Sequence, residues 1–89
     1  MSTLLVGYDK RQGEDYSPIE NALKQYGAWW HNLDSTWLIN TPMTVVQLRD
    51  SLTPYMNQAD KLLVLDVTGD AAAWRGFDAE ASDWLKKYL

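Results

Sequence analysis

The segment Ala28-Trp29-Trp30-His31-Asn32-Leu33-Asp34-Ser35-Thr36-Trp37-Leu38-Ile39-Asn40-Thr41 holds three of the chain's five tryptophans and its single histidine. It reads as two extended runs joined at Asp34-Ser35, a β-hairpin. Side chains alternate along a strand, so Trp29 and His31 point to one face and Trp30 and Asn32 to the other. Tryptophans on both faces of one thin sheet cannot all be ordinary core. One face is expected to meet helices, and the other solvent, a ligand or a second subunit.

The flanking elements follow from local signals. Leu4-Leu5-Val6-Gly7-Tyr8 is an apolar run ending at Asp9, and reads as a buried strand. Ser17-Pro18-Ile19-Glu20 starts a helix, with Ser17 as cap, Pro18 at the first position and Glu20 closing a capping box. Ile19, Ala22, Leu23 and Tyr26 follow at helical spacing, and Gly27 is its stop. After the hairpin, Thr44 and Gln47 form a second capping box for a helix presenting Val45, Leu48, Leu52 and Tyr55. Pro54 ends or kinks it near 51–53. Lys61-Leu62-Leu63-Val64-Leu65-Asp66-Val67 is the longest apolar run and reads as another strand. Residues 68–76 form a loop carrying Trp74-Arg75. Asp78 then caps a last helix on which Ala81, Trp84, Leu85 and Tyr88 share a face.

The order of elements gives one α+β domain over residues 1–89: a ferredoxin-like βαββαβ sandwich with an additional C-terminal helix. Its strand order, 4-1-3-2, makes Ala28–Leu33 an edge strand. The last helix either covers part of the open sheet face or swings towards a partner chain.

Charge and composition exclude several function classes. Twelve acidic residues stand against eight Lys and Arg, a net charge of −4, and the cations are scattered. No basic stripe exists to neutralise a nucleic-acid backbone, so no long DNA or RNA partner is expected. The chain has no cysteine, which excludes a disulfide framework and a thiolate metal site. No apolar stretch approaches the ~20 residues of a membrane span, and Met1-Ser2-Thr3 lacks the regions of a signal peptide. A soluble cytoplasmic protein with no cofactor and no resident metal is expected.

Two resemblances sharpen this reading. The run Tyr26-Gly27-Ala28-Trp29-Trp30-His31-Asn32-Leu33-Asp34-Ser35-Thr36-Trp37 resembles that of small bacterial and phage proteins described as SinR-like. The first strand ending Gly7-Tyr8-Asp9, followed by a helix ending Lys24-Gln25-Tyr26-Gly27, is distantly similar to the CRISPR-associated protein-two family. The second resemblance implies a ferredoxin-like dimer, with Asp9 matching an acid proposed to hold a divalent metal between subunits. This chain lacks the basic surface by which members of that family hold DNA.

The candidate ligand-binding residues are Asp9, Arg11, Trp29, Trp30, His31, Trp37, Asn40, Trp74 and Arg75. One of Trp29 and Trp30 should face the helices with Trp37 or Leu38, and Trp84 should be core. The remaining rings, with Trp74, suit a dimer interface or a stacking platform. Arg75, with Lys10-Arg11, suits phosphate oxygens. Asp9 and His31 each also have a structural reading, as a turn-capping acid and a hydrogen-bonded ring.

Aromatics and scattered cations suffice for stacking, whereas a catalyst needs converging polar groups. The expectation is therefore a homodimeric or higher homo-oligomeric, non-catalytic protein with an aromatic pocket for a nucleotide-like ligand. By analogy with small phage proteins it would sequester a host nucleotide immune signal in an anti-defence role. The alternatives are a metal-dependent phosphodiesterase or nuclease using Asp9 across a dimer axis, and a protein-binding inhibitor using the edge strand.

Overall fold

The computed structural model describes residues 1–10 and 15–89. Four antiparallel strands form one sheet: β1 (Ser2–Asp9), β2 (Ala28–Leu33), β3 (Thr36–Thr41) and β4 (Lys61–Asp66), in the spatial order β2-β3-β1-β4. Among the described residues three α-helices accompany it, α1 (Ser17–Leu23), α2 (Val45–Leu52) and α3 (Ala79–Tyr88). This small α+β architecture is compatible with a ferredoxin-like arrangement, and Ala28–Leu33 does lie at an edge.

The two faces of the sheet build separate cores. On one face Leu4, Val6, Trp37 and Ile39 pack against Ile19 and Leu23 of α1 and Leu48 and Leu52 of α2. On the other, Trp30 and Leu38 pack against Ala81 and Leu85 of α3, with Leu5, Val67, Trp74, Phe77 and Trp84 around them. The last helix therefore covers part of the open face. Thr3 fastens its far end: the Thr3 hydroxyl donates to the Tyr88 carbonyl, and Asn40 Nδ2 donates to Thr3 Oγ1 at 3.0 Å.

The helix signals divide into those that hold and one that moves. At α2 the Thr44 hydroxyl accepts from the Gln47 amide at 3.1 Å and the Gln47 side chain accepts from the Thr44 amide at 2.9 Å. The helix ends at Leu52, and Pro54 falls in a 3₁₀ turn, Thr53–Tyr55. Tyr55 is exposed there rather than sharing the buried face. At α1 the cap shifts upstream. Tyr16 occupies the cap position without a side-chain bond, and Asp15 Oδ1 accepts the Ser17 amide at 2.9 Å. That bond holds the Asp15 carboxyl below its ordinary value. The helix stops at Leu23, so Gly27 serves the entry to β2 instead.

Asp78 caps α3 as its position implies, accepting the Ala81 amide at 2.9 Å. Removing such a cap costs about 1 kcal/mol. Asp78→Ala should lower unfolding stability by that amount in urea denaturation. The largest spectroscopic change should fall in the tryptophans beneath α3.

Candidate functional site

Two neighbouring hollows flank the Trp30–α3 contact, and they differ in charge. Trp30 is the partition between them. Its ring is buried, stands edge-on to Phe77 at 4.9 Å between centroids, and its Nε1–H donates to the Ala81 carbonyl at 3.1 Å.

The first hollow is a groove of about 360 Å³ between the sheet and the loop preceding α3. Leu5, Leu33, Leu38, Phe77 and Leu85 supply apolar walls, Trp74 an aromatic one, and Arg75 a cation. Among the described residues no acidic side chain lines it. Trp74 is positioned by its Nε1–H, which donates to Ser82 Oγ at 3.3 Å, so the loop is tied to α3. Gly76 follows at φ +90°, a left-handed conformation that turns the chain from Arg75 towards Phe77.

The second hollow, about 370 Å³, is lined by Trp29, Trp30, His31 and Asn32 together with Asp78, Glu80, Ala81 and Trp84. Four consecutive strand residues point alternately to opposite faces. A hollow touching all four lies along the free edge of β2. Among the described residues its charged lining is the carboxylates Asp78 and Glu80, without Lys or Arg. An anion is repelled there.

The nine candidates therefore separate. Trp30, Trp74 and Arg75 meet at the groove, and Trp29, Trp30 and His31 at the edge hollow. Trp37 is fully buried on the α1–α2 face. His31 stacks on it at 3.9 Å between centroids with planes 13° apart, and Trp29 leans against it at 5.5 Å. The ring of Trp37 has no free surface for a ligand. Its Nε1–H donates to the Tyr8 hydroxyl at 3.1 Å, and burial pushes the Tyr8 phenol above its ordinary value against the lowering effect of that bond.

His31 is held by its neighbours. Nε2 lies 2.7 Å from the Asp34 carbonyl oxygen in the hairpin turn, and Nδ1 lies 3.6 Å from Glu20 Oε2. Trp29 is 42% exposed, with the Lys24 ammonium 5.1 Å from its ring centre. Asn40 belongs to the Thr3 anchor described above. Asp9 is exposed at the end of β1, opposite Lys61 in the ladder and apart from both hollows. Arg11 lies outside the described residues.

Lys10, read as a phosphate-binding cation, is buried. Its Nζ donates to the Tyr55 carbonyl at 2.9 Å and pairs with Asp60 at 3.3 Å, with both side chains nearly inaccessible. Desolvated and paired, it ties the end of β1 to the turn before β4 and is not free for a ligand. Trp84 is half-buried rather than core, since it rims the edge hollow and packs against Tyr88 at 4.6 Å.

Sequence reasoning did not place Leu5, Phe77 and Glu80 at these sites. Phe77 carried a signal, because it is the chain's single phenylalanine and lies two residues before α3. Among the described residues no three His, Asp or Glu side chains converge as a metal site. Among the same residues no helix is long and apolar enough to cross a membrane. No family model, no curated protein and no solved structure matches this chain.

Proposed function

We propose that this chain is a small homo-oligomeric binding protein with a ferredoxin-like βαββαβ core, acting by sequestration rather than catalysis. Its ligand is nucleotide-like and enters the Trp74–Arg75 groove. The supporting observation is the pairing of an exposed guanidinium with apolar and aromatic walls that carry no acidic side chain among the described residues. A planar base stacks on such walls for ~1–3 kcal/mol, and a guanidinium takes a phosphate through two parallel hydrogen bonds. The groove volume of about 360 Å³ falls within the ~300–1,000 Å³ of small-molecule sites. The acidic edge hollow offers neither feature, which favours the groove as the nucleotide site. By the resemblance to small phage proteins, the biological role is to withhold a host's nucleotide immune signal.

The test is titration with cyclic dinucleotides and ADP-ribose derivatives, following tryptophan fluorescence and thermal unfolding. A saturable fluorescence change and a raised melting temperature are expected. Trp74→Ala and Arg75→Ala should each weaken binding about tenfold or more. If none of these compounds alters either signal, the reading fails.

A second reading has its own observation. The free edge of β2 and the carboxylates beside it suit an extended basic peptide, as in a protein-binding inhibitor. Co-purification of a partner that is lost in Glu80→Lys, with the nucleotide titration silent, would favour it.

A further inference from the structure

Among the described residues β4 is a free edge, and its middle lacks the features that keep edges single. Edge strands are ordinarily short, bulged, charged or covered, because an open apolar edge recruits another strand. The opposite edge, β2, is broken by an irregularity between Trp30 and Leu33 and flanked by acidic residues. β4 has no such irregularity, and its charged residues, Lys61 and Asp66, stand only at its two ends. It runs in unbroken register with β1 from Leu4↔Asp66 to Asp9↔Lys61. Leu63 and Leu65 are 56% and 45% exposed. Val45, Val46 and Arg49 of α2 line one hollow with Leu62, Leu63 and Val64, and three consecutive strand residues share a hollow only along the strand edge.

The backbone of this edge has a definite polarity. The Val67 amide donates to the Thr3 carbonyl at 3.0 Å, continuing the β1–β4 ladder. Alternation along an antiparallel pair then turns Leu63 and Leu65 towards β1 and presents the amides and carbonyls of Leu62, Val64 and Asp66 outward.

We propose that β4 pairs antiparallel with β4 of a second copy of this chain, about a two-fold axis through Val64. Two four-stranded sheets then become one continuous eight-stranded sheet. An axis normal to the sheet keeps each face on its own side, so residues of like parity must meet. Centring on Val64 sets Val64 opposite Val64, Leu62 opposite Asp66, and Leu63 opposite Leu65 of the second copy. It forms about six backbone hydrogen bonds and joins the exposed leucines into one apolar strip. Centring on Leu63 instead sets Lys61 against Leu65 and breaks the leucine strip. Centring on Leu65 sets Val64 against Asp66 and shortens the apolar match.

Charge also selects the occupant. In the antiparallel pair Lys61 lies opposite Val67 and Asp66 opposite Leu62, so no like charges meet across the seam. Self-pairing through β2 would instead crowd Asp78 and Glu80 of both copies. The proposal deepens the homo-oligomeric part of the reading above and does not depend on the ligand. It also places both Trp74–Arg75 grooves on the same side of the joined sheet.

Sedimentation velocity across a wide dilution series should give the mass of two chains. Leu63→Lys with Leu65→Lys alters side chains that are already exposed, and should give the mass of one chain with unchanged far-ultraviolet circular dichroism. Val64→Pro removes an outward amide without removing a bond to β1, and should do the same. The chain has no cysteine, so Leu63→Cys with Leu65→Cys should form an oxidised, disulfide-linked pair, since those positions lie ~4.5 Å apart between Cα atoms. A wild-type chain at single mass, open-ended assemblies, or pairing that survives both the lysine and proline variants would overturn the proposal. Nucleotide titration of the lysine variant separates the two readings. Binding retained at single mass leaves the groove standing, and a silent titration of an intact pair removes the groove alone.

Discussion

Trp37→Ala should leave the protein largely unfolded. The side chain is fully buried on β3 and adds contacts to both strands that β3 already pairs with, β1 and β2. His31 stacks on its face, Trp29 leans on it, and its Nε1–H donates to Tyr8. Removing a buried tryptophan costs about 3–5 kcal/mol through lost transfer energy and the cavity left behind. A domain of this size has a total of only ~5–15 kcal/mol, and small domains sit at the low end. Urea denaturation should show the midpoint falling close to zero denaturant. Trp37→Phe should lose much less, because it keeps an aromatic face under His31 and gives up the bond to the Tyr8 hydroxyl. A wild-type midpoint for Trp37→Ala would mean that the ring is not the centre of this core.

Gly27→Ala should be nearly as damaging for a different reason. Residue 27 enters β2 directly against the backbone of β3, and a Cβ there would lie 2.0 Å from the Asn40 carbonyl oxygen. Its φ of +157° adds strain for any side chain. The neighbour is backbone in a central strand, so it cannot rotate aside as a flexible side chain would. Relief requires β2 to move off β3, which opens both the hairpin and the edge hollow. The expected loss is about 3 kcal/mol or more, readable by the same denaturation. Gly69→Ala is the control: its Cβ would meet no atom within 4 Å, leaving only the cost of its φ of +72°.

Much of the architecture is legible in the sequence because its signals are local. The Thr44–Gln47 box, the Asp78 cap, the Pro54 break and the hairpin turn each depend on residues a few positions apart. Alternation likewise separates Trp29 from Trp30. It does not say which of them faces α1 and α2, since a one-residue change of register inverts every side chain. The structure places Trp29 with Trp37 and Trp30 with Leu38. Lys10 could not be read as buried, because its partner Asp60 lies 50 positions away.

β4 shows a different limit. A continuous apolar run reads as a strand covered on both faces. Here α3 packs on Trp30 and Leu38, with its end fastened at Thr3. A single helix ~10 Å wide cannot also cover the outermost of four strands spaced ~4.8 Å apart. Leu63 and Leu65 are left bare by that geometry, not by their composition. The candidate site divides in the same way. Trp74 and Arg75 stood out as unplaced residues, but their meeting with Leu5 and Phe77 depends on how the loop folds over the sheet.

The Trp74–Arg75 groove, and not the acidic edge, is the proposed seat of a nucleotide-like ligand. The five tryptophans give five indole N–H signals in a ¹⁵N-correlated spectrum, one reporter for each environment. Titration with a cyclic dinucleotide should shift the Trp74 indole most and Trp30 next. Trp37 in its core, and Trp29 and Trp84 at the edge hollow, should stay nearly fixed. Movement confined to Trp29 and Trp84, or none in any of the five, would contradict the claim.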